Sequence, residues 1–221
     1  MTILVAVGME QEATLVRQVC PKAIVVIGAG DAALLTARMK DALKQNTVDR
    51  IISVGVCGGI APDMKVGQIV VCSSVVYQLS QIATDIAWSN RILASIPAAQ
   101  LVRFTWSATA VARMVDKVTL RRVTMADVVD EETFIAGSIA VPKGIPFTAL
   151  RVISDGPDFE LPPAALIQLT SAGNDNIGAI LDSIAGDPWQ IPELVELAGS
   201  TATAMAGLKI ALTRLGSNLN A

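Results

Sequence analysis

"IPFTALRVISDGPD", residues 145–158, opens as an apolar strand and closes on two acids separated by Gly and Pro. Ile145, Phe147, Leu150, Val152 and Ile153 suit a sheet interior, since near-continuous apolar strands are those covered on both faces. Ser154 and Asp155 follow without a break. Asp before Gly-Pro is common turn punctuation. The alternative is that the strand is a rigid arm placing a carboxylate in a crevice. Similar apolar runs recur at 3–7, 23–27, 50–54, 68–73, 101–106 and 126–129, with helical patterns at 11–19, 32–44, 110–120 and 132–140. This alternation predicts an α/β fold, a central mostly parallel or mixed sheet flanked by helices. Open sheets of this kind bind ligands beyond the carboxyl ends of their strands, where Asp155 would sit. From Leu161 the chain reads as helical, broken at Gly186-Asp187-Pro188, with a long last helix over about 192–215. No linker divides it, so the reading is one domain over 1–221, a core at 1–158 and a helical tail at 159–221 packed on it.

Composition excludes whole classes of chemistry. With no histidine among 221 residues, a Ser-His-Asp triad, a Cys-His pair and any His-ligated zinc site are ruled out. Proton transfers must use Asp, Glu, Lys, Tyr, Cys or water. Hydrophobic residues make up 52%, yet no apolar run is long enough to span a membrane. The N-terminus has no basic region before its first strand, so no signal peptide is expected. Cys20, Cys57 and Cys72 lack metal-ligand spacing, which points to reduced thiols and a cytoplasmic setting. The net charge of -3 and the lack of a basic tract argue against nucleic acid as a partner. Neither a metal nor a cofactor is expected.

Four short motifs stand at strand ends. "VGMEQEA" (7–13) starts a helix with Glu10 and Glu12 in its first turn, where acids suit the helix dipole. "VVIGAGDAA" (25–33) fits a dinucleotide fingerprint through Gly28, Gly30 and Ala33. Asp49, however, precedes the next strand instead of ending it, and a tight turn explains the glycines equally well. "IISVGVCGGIAPDMKVGQIVV" (51–71) runs a strand into Gly55 and Gly58-Gly59, either for close ligand approach or for a bulge. "VVDEETF" (128–134) places Asp130, Glu131 and Glu132 at a strand-to-helix junction. Asp130 there is an N-cap or, with its neighbours, an acceptor for vicinal hydroxyls.

In this order the motifs resemble the nucleoside phosphorylase superfamily, especially its methylthioadenosine/S-adenosylhomocysteine nucleosidase branch. "GMEQE", the Gly-rich segment, "VDEET" and "RVISD" are similar to that branch's ordered motifs over residues 3 to about 158. The tail, from "LPPAALIQL" through "DPWQIPELVELAGSTATAMAGL", is more similar to hopanoid-associated phosphorylases of the same superfamily. That resemblance implies the three-layer nucleoside phosphorylase-like fold and cleavage of the N-glycosidic bond of an adenine nucleoside with a 5′ substituent. Adenosylhopane, a lipid-linked nucleoside, is one substrate it implies. It also implies a homodimer or higher homo-oligomer. Methylthioadenosine/S-adenosylhomocysteine cleavage, purine nucleoside phosphorolysis and a non-catalytic nucleoside-binding module stay open as alternatives.

Carried over by position, the resemblance makes Asp155 the acid that protonates purine N7 and Glu12 the group that orients the attacking water. Ser154 would contact the base. Glu132, with Asp130 and Glu131 beside it, would hold the ribose, and Gly55 and Val56 would line the turn. Val111 stands where the family stacks an aromatic on adenine, leaving Trp106 or Phe159 to substitute. An apolar strand end is expected to favour the protonated acid at Asp155. Ser53 and Val56 occupy positions where phosphorylases of the family place an Arg and a Ser for phosphate. A buried dianion without a fixed cation is disfavoured, so water is the expected nucleophile unless Arg17 or Arg113 supplies the charge.

Overall fold

The structure, a computed structural model, describes residues 1–219. The strand β1 (Ile3–Val7) pairs in parallel with β2 (Ile24–Ile27) and with β3 (Arg50–Gly59). After β3 come β4 (Ile69–Tyr77), β5 (Ser80–Ala83), β6 (Gln100–Trp106), β7 (Val128–Asp130) and β8 (Phe147–Asp155). The sheet is mixed. β8 runs parallel to β3 and antiparallel to β4, while β7 meets the far end of β3 antiparallel and β6 in parallel. Because β6 also pairs with β4, the strands β3, β8, β4, β6 and β7 close into a ring.

Period-two alternation sorts the core into two layers. In β1, Leu4 and Ala6 join one apolar cluster while Ile3, Val5 and Val7 join the other. The first cluster is roofed by α2 (Ala32–Gln45) through Leu35 and Met39, and by α5 (Thr133–Ala140) through Ile135, Ala136 and Ile139. The second is covered by α1 (Glu10–Val19), α3 (Ile86–Ser95) and α7 (Ile191–Leu215), which contribute Val16, Trp88 and Leu208 among others. The sheet thus lies between two helical layers, as the alternation of strands and helices predicts.

Two helices break the pattern. The only side chain that α4 (Met114–Thr124) buries is Lys117, while Met114, Val115, Val118 and Val123 are exposed. No side chain of α6 (Ile177–Gly186) is buried.

Several expectations need correction. β3 and β4 run several residues past their expected ends, because the small residues Gly55, Gly58 and Gly59 continue the strand instead of ending it. Residues 74–105 contain β5 and α3, neither of which the sequence reading included; Asp85 starts α3 by accepting the Trp88 N–H at 2.9 Å. The tail is not helical from Leu161. It holds a short 3-10 turn at Pro163–Leu166, and then no regular element before α6. Gly173 lies in that stretch with φ +81, and a Cβ there would stand 2.6 Å from Ile27 Cγ2. Its carbonyl accepts the Glu10 N–H at 2.9 Å, which fastens the tail to the start of α1. No helix among the described residues is long and apolar enough to cross a membrane.

Candidate active site

Arg151 organises the polar centre of the sheet. It shares one face of β8 with Phe147, Ala149 and Ile153, and its guanidinium is fully buried. Its register partner on β3 is Gly55, and a Cβ at that position would lie 2.3 Å from both Arg151 Nη1 and Glu12 Oε1. Gly55 is therefore required by close approach. Arg151 Nη2 donates to Ser53 Oγ at 2.7 Å and to Glu132 Oε2 at 2.9 Å, and Nε lies 2.8 Å from Asp130 Oδ2. Nη1 reaches the Val56 carbonyl at 3.4 Å. The Nε contact is an ion pair without hydrogen-bond alignment.

Glu12 and Glu10 separate cleanly. Glu10 pairs with Arg17 on the surface at 2.5 Å, the ordinary helix-start role. Glu12 is buried, its Oε2 accepting the Gly8 and Met9 N–H groups at 2.8 and 3.0 Å and its Oε1 the Val56 N–H at 2.8 Å. Burial raises its pKa, while Arg151 and the three backbone N–H groups oppose the rise.

Around Arg151 the acids outnumber the cation. The N-cap of α5 is Glu132, not the expected Asp130; Asp130 stands two residues earlier and accepts from the Thr133 N–H at 3.1 Å and from its hydroxyl. Glu132 lies against Gly8, and Glu131 turns its Oε2 toward Gly30. Burial first, then Asp130, pushes the Glu131 carboxyl up to about 7. Burial pushes Glu132 up to about 8, with Asp130, Glu12 and Glu131 adding to the rise and Arg151 opposing it. Burial disfavours the charge on Arg151, but Asp130, Glu132 and Glu12 overcome it and raise its pKa. The cluster thus holds protons at neutral pH, and a protonated carboxyl can both donate to and accept from a hydroxyl.

These raised values have a consequence for stability. Below about 4.5 folded and unfolded chains both hold the Glu131 and Glu132 protons; as pH rises through about 7 and 8 the stabilisation is lost. The thermal midpoint is expected to fall between about pH 5 and 8.5, and Glu132→Gln to flatten the slope. A midpoint rising across that window would contradict the assignment.

Asp155 ends β8 beside a register shift. Cys57 pairs with Ile153 but Gly58 pairs with Asp155, so Ser154 bulges. Bulges re-aim side chains next to functional sites, and here Asp155 Oδ2 comes within 3.1 Å of where a Cβ of Gly58 would stand. Ser154 Oγ lies 3.0 Å from Asp155 Oδ1 and 3.2 Å from the Cys57 carbonyl. The unforeseen partner is Lys117, whose Nζ lies 2.6 Å from Asp155 Oδ2. The apolar strand end expected around Asp155 is thus joined by an ammonium in direct contact with its carboxyl. Cys57 lies among these groups: burial raises its thiol well above the ordinary range, Arg151 lowers it, and Asp130, Asp155 and Glu12 raise it. Gly55 and Gly58, three residues apart on β3, lie beside Glu12 and Asp155 respectively.

Other expected residues are placed less directly. Val111 is half-buried against Ile60, Val76, Ala126 and Val129. Trp106 is engaged elsewhere: it meets Tyr77 edge-on at 4.6 Å, and its Nε1 donates to the Glu131 carbonyl at 2.8 Å. Asp49 accepts the Thr2 N–H at the opening end of β3, so no ribose-binding acid completes the Gly28-Gly30 pattern. Arg17 and Arg113 pair with Glu10 and Asp116 at the surface and offer no charge to the cluster. The sequence reading missed Arg151 and Lys117; a lone cation inside an apolar strand is the signal that marked the first.

Residues 2–185 match the phosphorylase superfamily. No curated protein matches the chain. Among solved structures it is similar to the 5′-methylthioadenosine/S-adenosylhomocysteine nucleosidase of Helicobacter pylori, solved with butyl-thio-DADMe-Immucillin-A: 16% identity, TM-score 0.64, covering 96% of this chain and 97% of that one. The corresponding nucleosidase of S. pneumoniae, with the transition-state inhibitor MT-ImmA, gives 15% identity and TM-score 0.64 over 97% and 100% of the two chains. Futalosine hydrolase of Helicobacter pylori gives 16% and 0.64 over 96% and 97%. At these identities the likeness is one of fold.

Proposed function

We propose that this chain, which belongs to the phosphorylase superfamily, cleaves the N-glycosidic bond of an adenine nucleoside with water as nucleophile. The observation that carries the choice of water is that buried carboxylates already surround Arg151. Ser53, Asp130, Glu132 and the Val56 carbonyl already engage its guanidinium. A phosphate dianion entering there would have to displace buried carboxylates, and it would meet Glu12 as well.

In this reading Asp155 gives a proton to purine N7 as the C1′–N9 bond breaks, and Ser154 steadies that carboxyl. Glu12, fixed by three backbone N–H groups, accepts the proton of the water that adds to C1′. Glu132, with Asp130 and Glu131, receives the ribose hydroxyls. Gly55 and Val56 form the floor beneath the sugar, and Val111 borders the base. The glycosyl fragment approaches an oxocarbenium ion at the barrier, so an acid at the base and a carboxylate near the sugar act together. Adenine release at an equal rate with and without added phosphate is the expected result; release that requires phosphate would assign a phosphorylase.

The 5′ group is the finer question. A recess of about 230 Å³ lies beside Met9, lined by Gln11, Gly173, Asn174, Asp175 and Ile177. Adenosylhopane is the substrate we favour, from the resemblance of the tail. Methylthioadenosine or S-adenosylhomocysteine is the second reading, supported by the fold likeness to such nucleosidases. Comparing turnover of methylthioadenosine with that of 5′-alkyl adenosines separates the two. A binding module without catalysis is favoured by one feature, the occupation of Asp155 by Lys117. Adenine binding without any release of base would establish it. The reading also includes a homo-oligomer, which light scattering reports.

A further inference from the structure

Lys117 is the one fully buried side chain of α4, and its ammonium is fully coordinated. Nζ donates to Asp155 Oδ2 at 2.6 Å, to the Gly156 carbonyl at 2.7 Å and to the Phe159 carbonyl at 2.9 Å. Three acceptors match the three N–H bonds of the charged form; a neutral amine has only two. Both ends of this ion pair are buried, with side-chain exposures of 1% and 9%. Ser154 on β8 and Cys57 on β3 are the other polar neighbours of Asp155. Asp130 of β7, Arg151 of β8 and Glu12 of α1 act on the same Cys57 thiol. In the loop after β8, Asp158 is exposed and Glu160 accepts the Met114 N–H at 3.2 Å. Lys117 is thus the cation in direct contact with Asp155.

We propose that Lys117 is a positioning residue for the cleavage proposed above: it holds Asp155 in place as a carboxylate in the ligand-free protein, so that the acid takes up its proton when the purine enters. The proposal rests on that reading of the reaction. N7 and a carboxylate are both acceptors, so they meet favourably only with a proton between them. That proton comes from solvent onto Asp155 as the base binds. It passes to N7 when the C1′–N9 electron pair moves onto the base. Water loses a proton to Glu12 as its oxygen bonds to C1′. The products are adenine and the free sugar; Asp155 is again a carboxylate, and Glu12 returns its proton to solvent.

The sign of the pH effect follows. Activity needs a proton on Asp155, so the rate falls as pH rises past the loss of that proton, and the ammonium moves this fall to lower pH. Lys117→Met and Lys117→Gln are expected to move the alkaline limb of kcat/KM upward by about 1–3 pH units, the effect of an adjacent opposite charge. Lys117→Arg should leave it in place. Gln keeps donors for the two carbonyls, so one neutral variant remains should Met disrupt folding. A merely structural lysine would lower the rate by a common factor at every pH.

The ¹³C carboxyl resonance of Asp155, identified by its loss in Asp155→Asn, gives a readout independent of turnover. It is expected to titrate at higher pH in the neutral variants than in the wild type. An unmoved titration overturns the inference whatever the activity, and so does an unmoved limb. If the wild type releases no adenine while the titration moves, the proposed reaction and the positioning role of Lys117 fall together, and only the ion pair stands.

Discussion

Asp155→Asn is expected to lower adenine release by roughly two to four orders of magnitude, the contribution of a positioned general acid. Asn can occupy the same space and still offer an oxygen to Lys117, but it has no proton to deliver. The two carbonyls that also receive the ammonium keep it partly satisfied. Because an ammonium without its counter-charge remains buried, a drop in thermal midpoint should accompany the loss of rate. The double variant Asp155→Asn with Lys117→Met should recover stability without recovering activity. Turnover of Asp155→Asn within a few-fold of the wild type would remove Asp155 from the mechanism.

Arg151→Met is expected to produce the largest loss of stability. Removing one partner of a buried ionic network typically costs about 3–5 kcal/mol, because the remaining charges stay buried without compensation. For a chain of this size that corresponds to a midpoint lower by roughly 6–20 °C. Glu132 and Glu12, whose carboxyls burial pushes up, can partly escape by holding protons, so the deficit should grow as pH rises. A deficit that shrinks toward alkaline pH, or a variant as stable as the wild type at pH 8, would refute the view of Arg151 as the counter-charge of the cluster.

The fold was legible where periodicity and chemistry agree. β1 occupies the expected Ile3–Val7, and the strand ending in Ser154-Asp155 does place its acid at a carboxyl end. Glu12 and the Asp130–Glu132 run were found because acids crowded at a strand-to-helix junction are conspicuous. Arg151 was hidden because its neighbours Leu150 and Val152 made the segment read as core, and a single charge looked like noise. Only the third dimension, with Gly55 opposite, shows that space was kept for it. Lys117 was hidden for the opposite reason. On a surface helix a lysine reads as solvated, and nothing local reports that Asp155, far along the chain, waits beneath it. β5 escaped notice because it is only four residues long and mostly exposed.

The inverted seating of α4 bears on how the chain chooses among alternative packings. Oil-like attraction alone would roll this helix about its axis, tucking Val115 and Val118 inward and swinging the amine out to water. The Lys117 contacts to Asp155 and two carbonyls, together with Leu120 packed beside Ala126 and Val129, hold the azimuth against that pull. Take the charge contacts away and only Leu120 is left to distinguish one rotation from another. Damage at the floor of the crevice would then be read out on the outer surface as a changed pattern of exposed valines.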